Sequence, residues 1–206
     1  MSSFLLTSDF DDSFLYKGQV LHVDLSFDNV LRVFELFKDP VFSDGEKIEI
    51  ALEMLLIEYS SIQHLSTKDL YTLFLYIFKE FLDMDLTQQE EADSQKVYDF
   101  EQDAGIIYAS FLRAYQMDLF EQHGKLHWQK FLQLLTHLDE KSKFKEVIGY
   151  RQMKVPAPDK HNQEYRDHVM RMKRMYRLEQ EINEQQALEQ LDKKFDNVAA
   201  FLKTRG

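Results

Sequence analysis

Two pairs of side chains stand at spacings from which chemistry could be built. In "DFEQDAGIIYASFLRAYQMDL", residues 99–119, Asp99 and Asp103 are four apart. On a helix their carboxylates would share one face, as an acid/base pair or the start of a metal cradle requires. A working site also needs converging groups from elsewhere, and the segment has a plainer reading. Asp99, Glu101 and Asp103 would form the acidic first turn of a helix, where each stabilises the positive end by about 0.3–1 kcal/mol. Phe100, Ala104, Ile107, Tyr108, Phe111, Leu112 and Tyr115 would then line one apolar face. The second pair, His123 and His127, has the i, i+4 spacing of helical metal ligands, but Gly124 falls between them and no Glu-x-x-His context surrounds them. The other histidines are scattered and no serine sits in a nucleophile elbow. Six glycines form no phosphate-cradling loop. The sequence therefore points to a non-enzymatic protein with no catalytic residue, no cofactor and no metal site.

The elements around these residues read as mainly α. "SFLYKGQVLHVDLS" has two β-prone runs about Lys17-Gly18 and predicts a small N-terminal hairpin. Ser26 can cap a helix with Phe27, Val30, Leu31, Phe34 and Phe37 on one side, stopped by Asp39-Pro40. Ser43 and Glu46 form a capping box that opens a helix through Ala51, Leu52, Leu55, Leu56 and Tyr59. Ser66 and Asp69 start another, with Leu70, Leu73, Phe74, Ile77, Phe78 and Phe81 on its stripe. The polar run at 85–95 reads as a loop. Trp128, Phe131, Leu132, Leu135 and Leu138 mark a helix after 124, and Phe144, Val147 and Ile148 a shorter one.

Composition supports a folded chain without a membrane span. Hydrophobic residues make up 44% of 206, with 17 Phe and 10 Tyr, and no apolar run approaches the roughly 18 residues of a span. The N-terminus lacks a basic leader region, and the absence of Cys agrees with a cytosolic address. Charge is uneven: residues 1–140 carry 10 Lys+Arg against 26 Asp+Glu, whereas 141–206 carry 15 against 10. An acidic body repels phosphate backbones, so a protein partner fits better than nucleic acid.

"VPAPDKHN" breaks the helical pattern and sets the expected boundary, an acidic helical body over 1–155 and a basic helical extension over 156–206. In the extension Tyr165, Val169, Met172 and Tyr176 form one stripe, and Leu188, Leu191, Phe195, Val198 and Leu202 another. About 40 residues rarely hold a core alone, so these stripes must dock on the body, on a second copy, or on another protein. Met adapts to irregular partners and Arg is enriched at interfaces, which makes Arg171, Met172, Arg174, Met175, Tyr176 and Arg177 the expected partner-binding residues.

Residues 99–151 resemble the motif block of the "gene product fifteen" family of tailed phages of Gram-positive bacteria. The resemblance rests on the acidic start, Ile107-Tyr108-Ala109-Ser110-Phe111, Tyr115, Asp118-Leu119, Leu126-His127-Trp128, Phe131 and the closing Arg151. Gln116 departs from a frequent Gly, and Gln129 from a frequent second Trp. The apolar motif residues Phe100, Ile107, Tyr108, Phe111, Tyr115, Trp128 and Phe131 read as structural core. The resemblance implies a tail assembly chaperone of the host cell cytoplasm, which keeps the long helical tape-measure protein soluble and guides tail-tube assembly around it. Its implied partners are the tape-measure protein and the tail-tube protein, with self-association a further option. The alternative is a structural virion component of the tail or connector.

Overall fold

Lys17 and Gly18 both adopt positive φ, 48° and 85°, as a two-residue hairpin turn of the I′ kind requires. They join β1 (Ser13–Tyr16) to β2 (Gln19–His22), paired antiparallel from Ser13–His22 to Tyr16–Gln19. The computed structural model describes residues 4–7, 9–86 and 97–179. Helices follow the hairpin: α1 (Phe27–Lys38), α2 (Asp44–Leu55), α3 (Thr67–Leu82), α4 (Ala104–Tyr115), α5 (Trp128–Thr136), α6 (Lys143–Gln152) and α7 (Gln163–Met175). The protein is mainly α with a small N-terminal hairpin, as its periodicities predict. The stripe at 188–202 and most of the 85–95 loop lie outside the described residues.

The described chain divides into two compact units, one of 4–86 with 123–132 and the other of 97–122 with 133–179. In the first, chain reversal after β2 brings Val23 opposite Leu56 and Ser26 opposite His127 in isolated antiparallel bridges. Phe27 N–H donates to the Leu126 carbonyl at 2.9 Å and Trp128 N–H to that of Leu25 at 2.7 Å. These bonds set the aromatic core, in which Phe131 stacks on Phe27 at 4.9 Å and Trp128 meets the edge of Phe34 at 5.6 Å. α3 contributes six buried side chains, Leu70, Leu73, Phe74, Ile77, Phe78 and Leu82.

Three helices open on a serine whose hydroxyl caps the first turn. Ser43 accepts from Glu46 N–H while Glu46 accepts from Ser43 N–H at 2.8 Å, a complete capping box. Ser66 and Ser142 accept from Asp69 and Lys145 N–H in the same manner. Ser26 sits at the α1 N-cap but makes no capping bond; its hydroxyl instead donates to Asp24 at 2.7 Å. α2 stops at Leu55 rather than reaching Tyr59, since Leu56 is extended to pair with Val23; Tyr59 opens a 3₁₀ turn instead.

In the second unit α4 begins later than its periodicity suggests, so Phe100 precedes it and Ala104 and Leu112 face solvent. Ile107 and Phe111 are buried; Phe100, Tyr108 and Tyr115 are half-buried. Tyr115 donates to the Leu134 carbonyl at 2.8 Å, and burial raises its phenol pKa. Gln116 ends α4 at φ 52°, a left-handed position that glycine adopts without strain, which explains why glycine suits this place. The units do not part at residue 155. Residues 156–179 pack with 97–122 and 133–155, because Val169 and Leu178 bury their side chains there.

Two outcomes test this account. Phe111, Trp128 and Phe131 are at most 1% exposed, so each change to Ala should cost about 3–5 kcal/mol in denaturant unfolding. The second concerns pH. Hydrogen bonds from the His22 backbone and imidazole hold Glu58 below its ordinary value of 4.5, and the Ser66 hydroxyl and Lys17 hold Asp69 down likewise. A lowered folded pKa contributes stability that is complete above the ordinary value and lost as pH falls through the folded one. Unfolding measured over a pH series should therefore show weakening below about pH 4.5, and Glu58→Gln should flatten that limb.

Candidate functional site

Asp99 and Asp103 do not lie in a helical first turn; they precede α4, whose first turn holds no acid. Their role is different from dipole compensation. Asp99 Oδ1 accepts the N–H groups of Glu101 at 2.9 Å and Gln102 at 3.0 Å, folding a tight turn. Asp99 N–H donates to Asp103 Oδ2 at 3.0 Å. That turn delivers Asp103, 1% exposed, to Arg151 on α6, 7% exposed. The guanidinium grips both carboxylate oxygens, Nη1 to Oδ2 at 2.6 Å and Nη2 to Oδ1 at 2.8 Å.

Arg151 does more than neutralise Asp103. Its Nη1 also donates to the Val97 carbonyl at 3.0 Å and its Nε to the Tyr176 carbonyl at 2.6 Å. One planar group thus ties α6 to the chain entering α4 and to the end of α7, a geometry that a lysine cannot reproduce. Two further side chains fasten α7. Lys173 Nζ donates to the carbonyls of Arg151 at 2.5 Å and Met153 at 2.9 Å, closing the C-terminus of α6. Gln102 donates to the Arg177 carbonyl at 2.9 Å and accepts from Glu179 N–H at 3.0 Å. Tyr176 stacks on Tyr150 at 6.2 Å with Lys143 over its ring at 5.0 Å.

The expected partner-binding residues therefore separate. Met172 and Tyr176 are half-buried on the docked side. Arg171, Arg174, Met175 and Arg177 are exposed, together with Met170. At helical spacing Met170, Arg171, Arg174 and Met175 share the outward face of α7, with Gln163, Glu164 and Asp167 two turns earlier. Among the described residues no carboxylate forms an ion pair with Arg171 or Arg174.

His123 and His127 are placed in the first unit. His123 precedes Gly124, whose φ is 66°, and packs by Phe27 at 5.8 Å. His127 stacks on Phe10 at 3.9 Å, reaches Asp12 Oδ1 with Nε2 at 3.0 Å, and accepts Gln129 N–H on Nδ1 at 3.1 Å. Among the described residues no three His, Asp or Glu side chains gather as a metal would require, and no helix is long and apolar enough to cross a membrane.

The Asp103–Arg151 pair escaped sequence reasoning because 48 residues separate its members. The available signal was a single arginine closing the apolar run of α6 and an aspartate four residues before Ile107.

A mainly α protein with this buried ion pair across its motif block can be set against known families. Residues 7–178 match the family described as Bacteriophage Gp15 protein, and the chain belongs to that family. It is a phage protein. No curated protein and no solved structure matches the chain. The family match ends at Leu178, the buried side chain that closes the segment following α7.

Removing one partner of a buried ion pair leaves the other charge uncompensated, at a cost of about 3–5 kcal/mol. Asp103→Ala should destabilise the protein by that amount in denaturant unfolding. Asp103→Leu combined with Arg151→Met should cost less than the two single changes summed.

Proposed function

We propose that the protein is a non-enzymatic tail assembly chaperone that works in the host cytoplasm. It binds the helical tape-measure protein, keeps it soluble, and assists tail-tube assembly, with the tail-tube protein as a second partner. The reading rests on the family to which the chain belongs and on the outward face of α7. There Met170 and Met175, 38% and 63% exposed, flank Arg171 and Arg174 on a helix fastened from behind by Arg151, Lys173 and Gln102. Unbranched methionines adapt to an irregular apolar surface, and arginines add charge that a long helical partner can answer along its length. A helix held in place presents that face without the ordering cost of a disordered segment.

Co-expression with the tape-measure protein and capture of the complex tests the proposal. Arg171→Glu, Arg174→Glu and Arg177→Glu together should weaken capture at least about tenfold and reduce its dependence on salt. Unchanged capture would remove α7 as the binding face. Mass spectrometry of purified virions should detect no copies, because a chaperone leaves the finished particle; stoichiometric copies would identify a tail or connector component instead.

A further inference from the structure

The outward face of α7 carries its charges in an order that is symmetric about the middle of the helix. Val169, buried beneath the helix, marks that middle. Asp167 stands two residues before it and Arg171 two after; Glu164 stands five before and Arg174 five after. All four side chains are exposed. At helical spacing they form one row, with Met170, 38% exposed, along its flank. The opposite side of the helix is taken up by its own unit, through Val169, Lys173 and the neighbouring Tyr176.

Among the described residues none of these four charges makes an ion pair. Asp167 and Arg171 have the i, i+4 spacing at which opposite charges meet on a helix. Asp167 nevertheless accepts from Gln163 Nε2 at 3.0 Å, and Arg171 Nη2 turns to His168 Nδ1 at 3.5 Å. The helix dipole accounts for Glu164 in the first turn and Arg174 in the last. It does not account for Asp167 and Arg171, which lie farther in, where that effect has faded.

We infer that two copies of the chain pair through this face, α7 against α7, antiparallel about a two-fold axis at the level of Val169. Asp167 of each copy then meets Arg171 of the other, and Glu164 meets Arg174, so the row is self-complementary as an isologous contact requires. The two Met170 side chains meet beside the axis and fill the flank. A copy laid parallel would set acid on acid and base on base. A partner of one sign would satisfy half of the row and be repelled by the other half; a second copy satisfies both. Exposed ion pairs contribute little singly, so the contact is weak and reversible. The client helix proposed above takes the place of the second copy, a step that rests on the chaperone reading.

Sedimentation velocity of the full-length protein over a concentration series tests this. The wild type should show a monomer–dimer equilibrium that raised salt shifts toward monomer. Glu164→Lys with Asp167→Lys, and separately Arg171→Glu with Arg174→Glu, should each raise the dimer dissociation constant at least about tenfold at an unchanged melting temperature. Mixed in equal amounts, these two variants should associate with each other, because one row is then wholly positive and the other wholly negative. All four changes in one chain should restore the homodimer. Because the chain has no cysteine, Met170→Cys should form a disulfide-linked dimer on mild oxidation, and Leu15→Cys, on the exposed side of the hairpin, should not. A wild type that is monomeric at every concentration would overturn the inference, as would variants that stay apart when mixed or a missing Met170→Cys cross-link. Capture of the tape-measure protein tells the dimer from the chaperone reading. The cross-linked Met170→Cys dimer should capture at least about tenfold less than its reduced form; equal capture would place the client elsewhere and sink the exchange. A monomeric wild type whose capture still depends on Arg171 and Arg174 would sink the dimer and leave the chaperone reading standing.

Discussion

The second unit is organised around a charge that it cannot leave unpaired. A buried guanidinium is tolerated only where its fork meets a carboxylate and its remaining N–H groups find acceptors. Arg151 meets Asp103 in two bonds and gives the others to the backbone of Val97 and Tyr176. The acceptors lie on two stretches of chain, 97–103 and the end of α7, so satisfying one side chain of α6 fixes three segments at once. The turn built by Asp99 exists to aim Asp103, and the length of α6 sets where the guanidinium arrives. An apolar residue at 151 could pack the same space but would leave two carbonyls to find other donors.

That arrangement gives α7 two unlike faces. Val169 and, just beyond the helix, Leu178 are covered, and the polar fasteners act through backbone atoms of 176, 177 and 179. Side chains add to these backbone contacts: Tyr176 stacks on Tyr150 beneath Lys143, and Leu178 is buried. Met170, Arg171, Arg174 and Met175 stand on the outward face and contribute no buried side chain to the unit. The inner face stabilises the unit, and the outer face is the one to which the proposed chaperone role assigns the partner.

In the first unit the organising constraint is backbone pairing at the ends of short elements. The bridges Val23–Leu56 and Ser26–His127 interrupt or precede helices that could otherwise extend, and the first explains the early stop of α2. The same bridges carry Trp128 and Phe131 against Phe27 and Phe34.

Local chemistry was legible in the sequence wherever a few neighbouring residues decide the outcome. The Lys17-Gly18 turn, the capping box of Ser43 and Glu46, and the apolar stripe of α3 follow from positive φ, reciprocal hydrogen bonds and the 3.6 period. The family was legible too, since its motif is a pattern of residue types. What tertiary structure decided were the roles that depend on distant partners. Asp103 read as a helix-dipole residue because nothing nearby reveals an arginine 48 residues on, and residues 156–179 read as an extension because a Pro-rich break is local while the burial of Val169 and Leu178 is not. Periodicity tells which side chains share a face of an element; only the packed chain tells which face meets protein and which meets water.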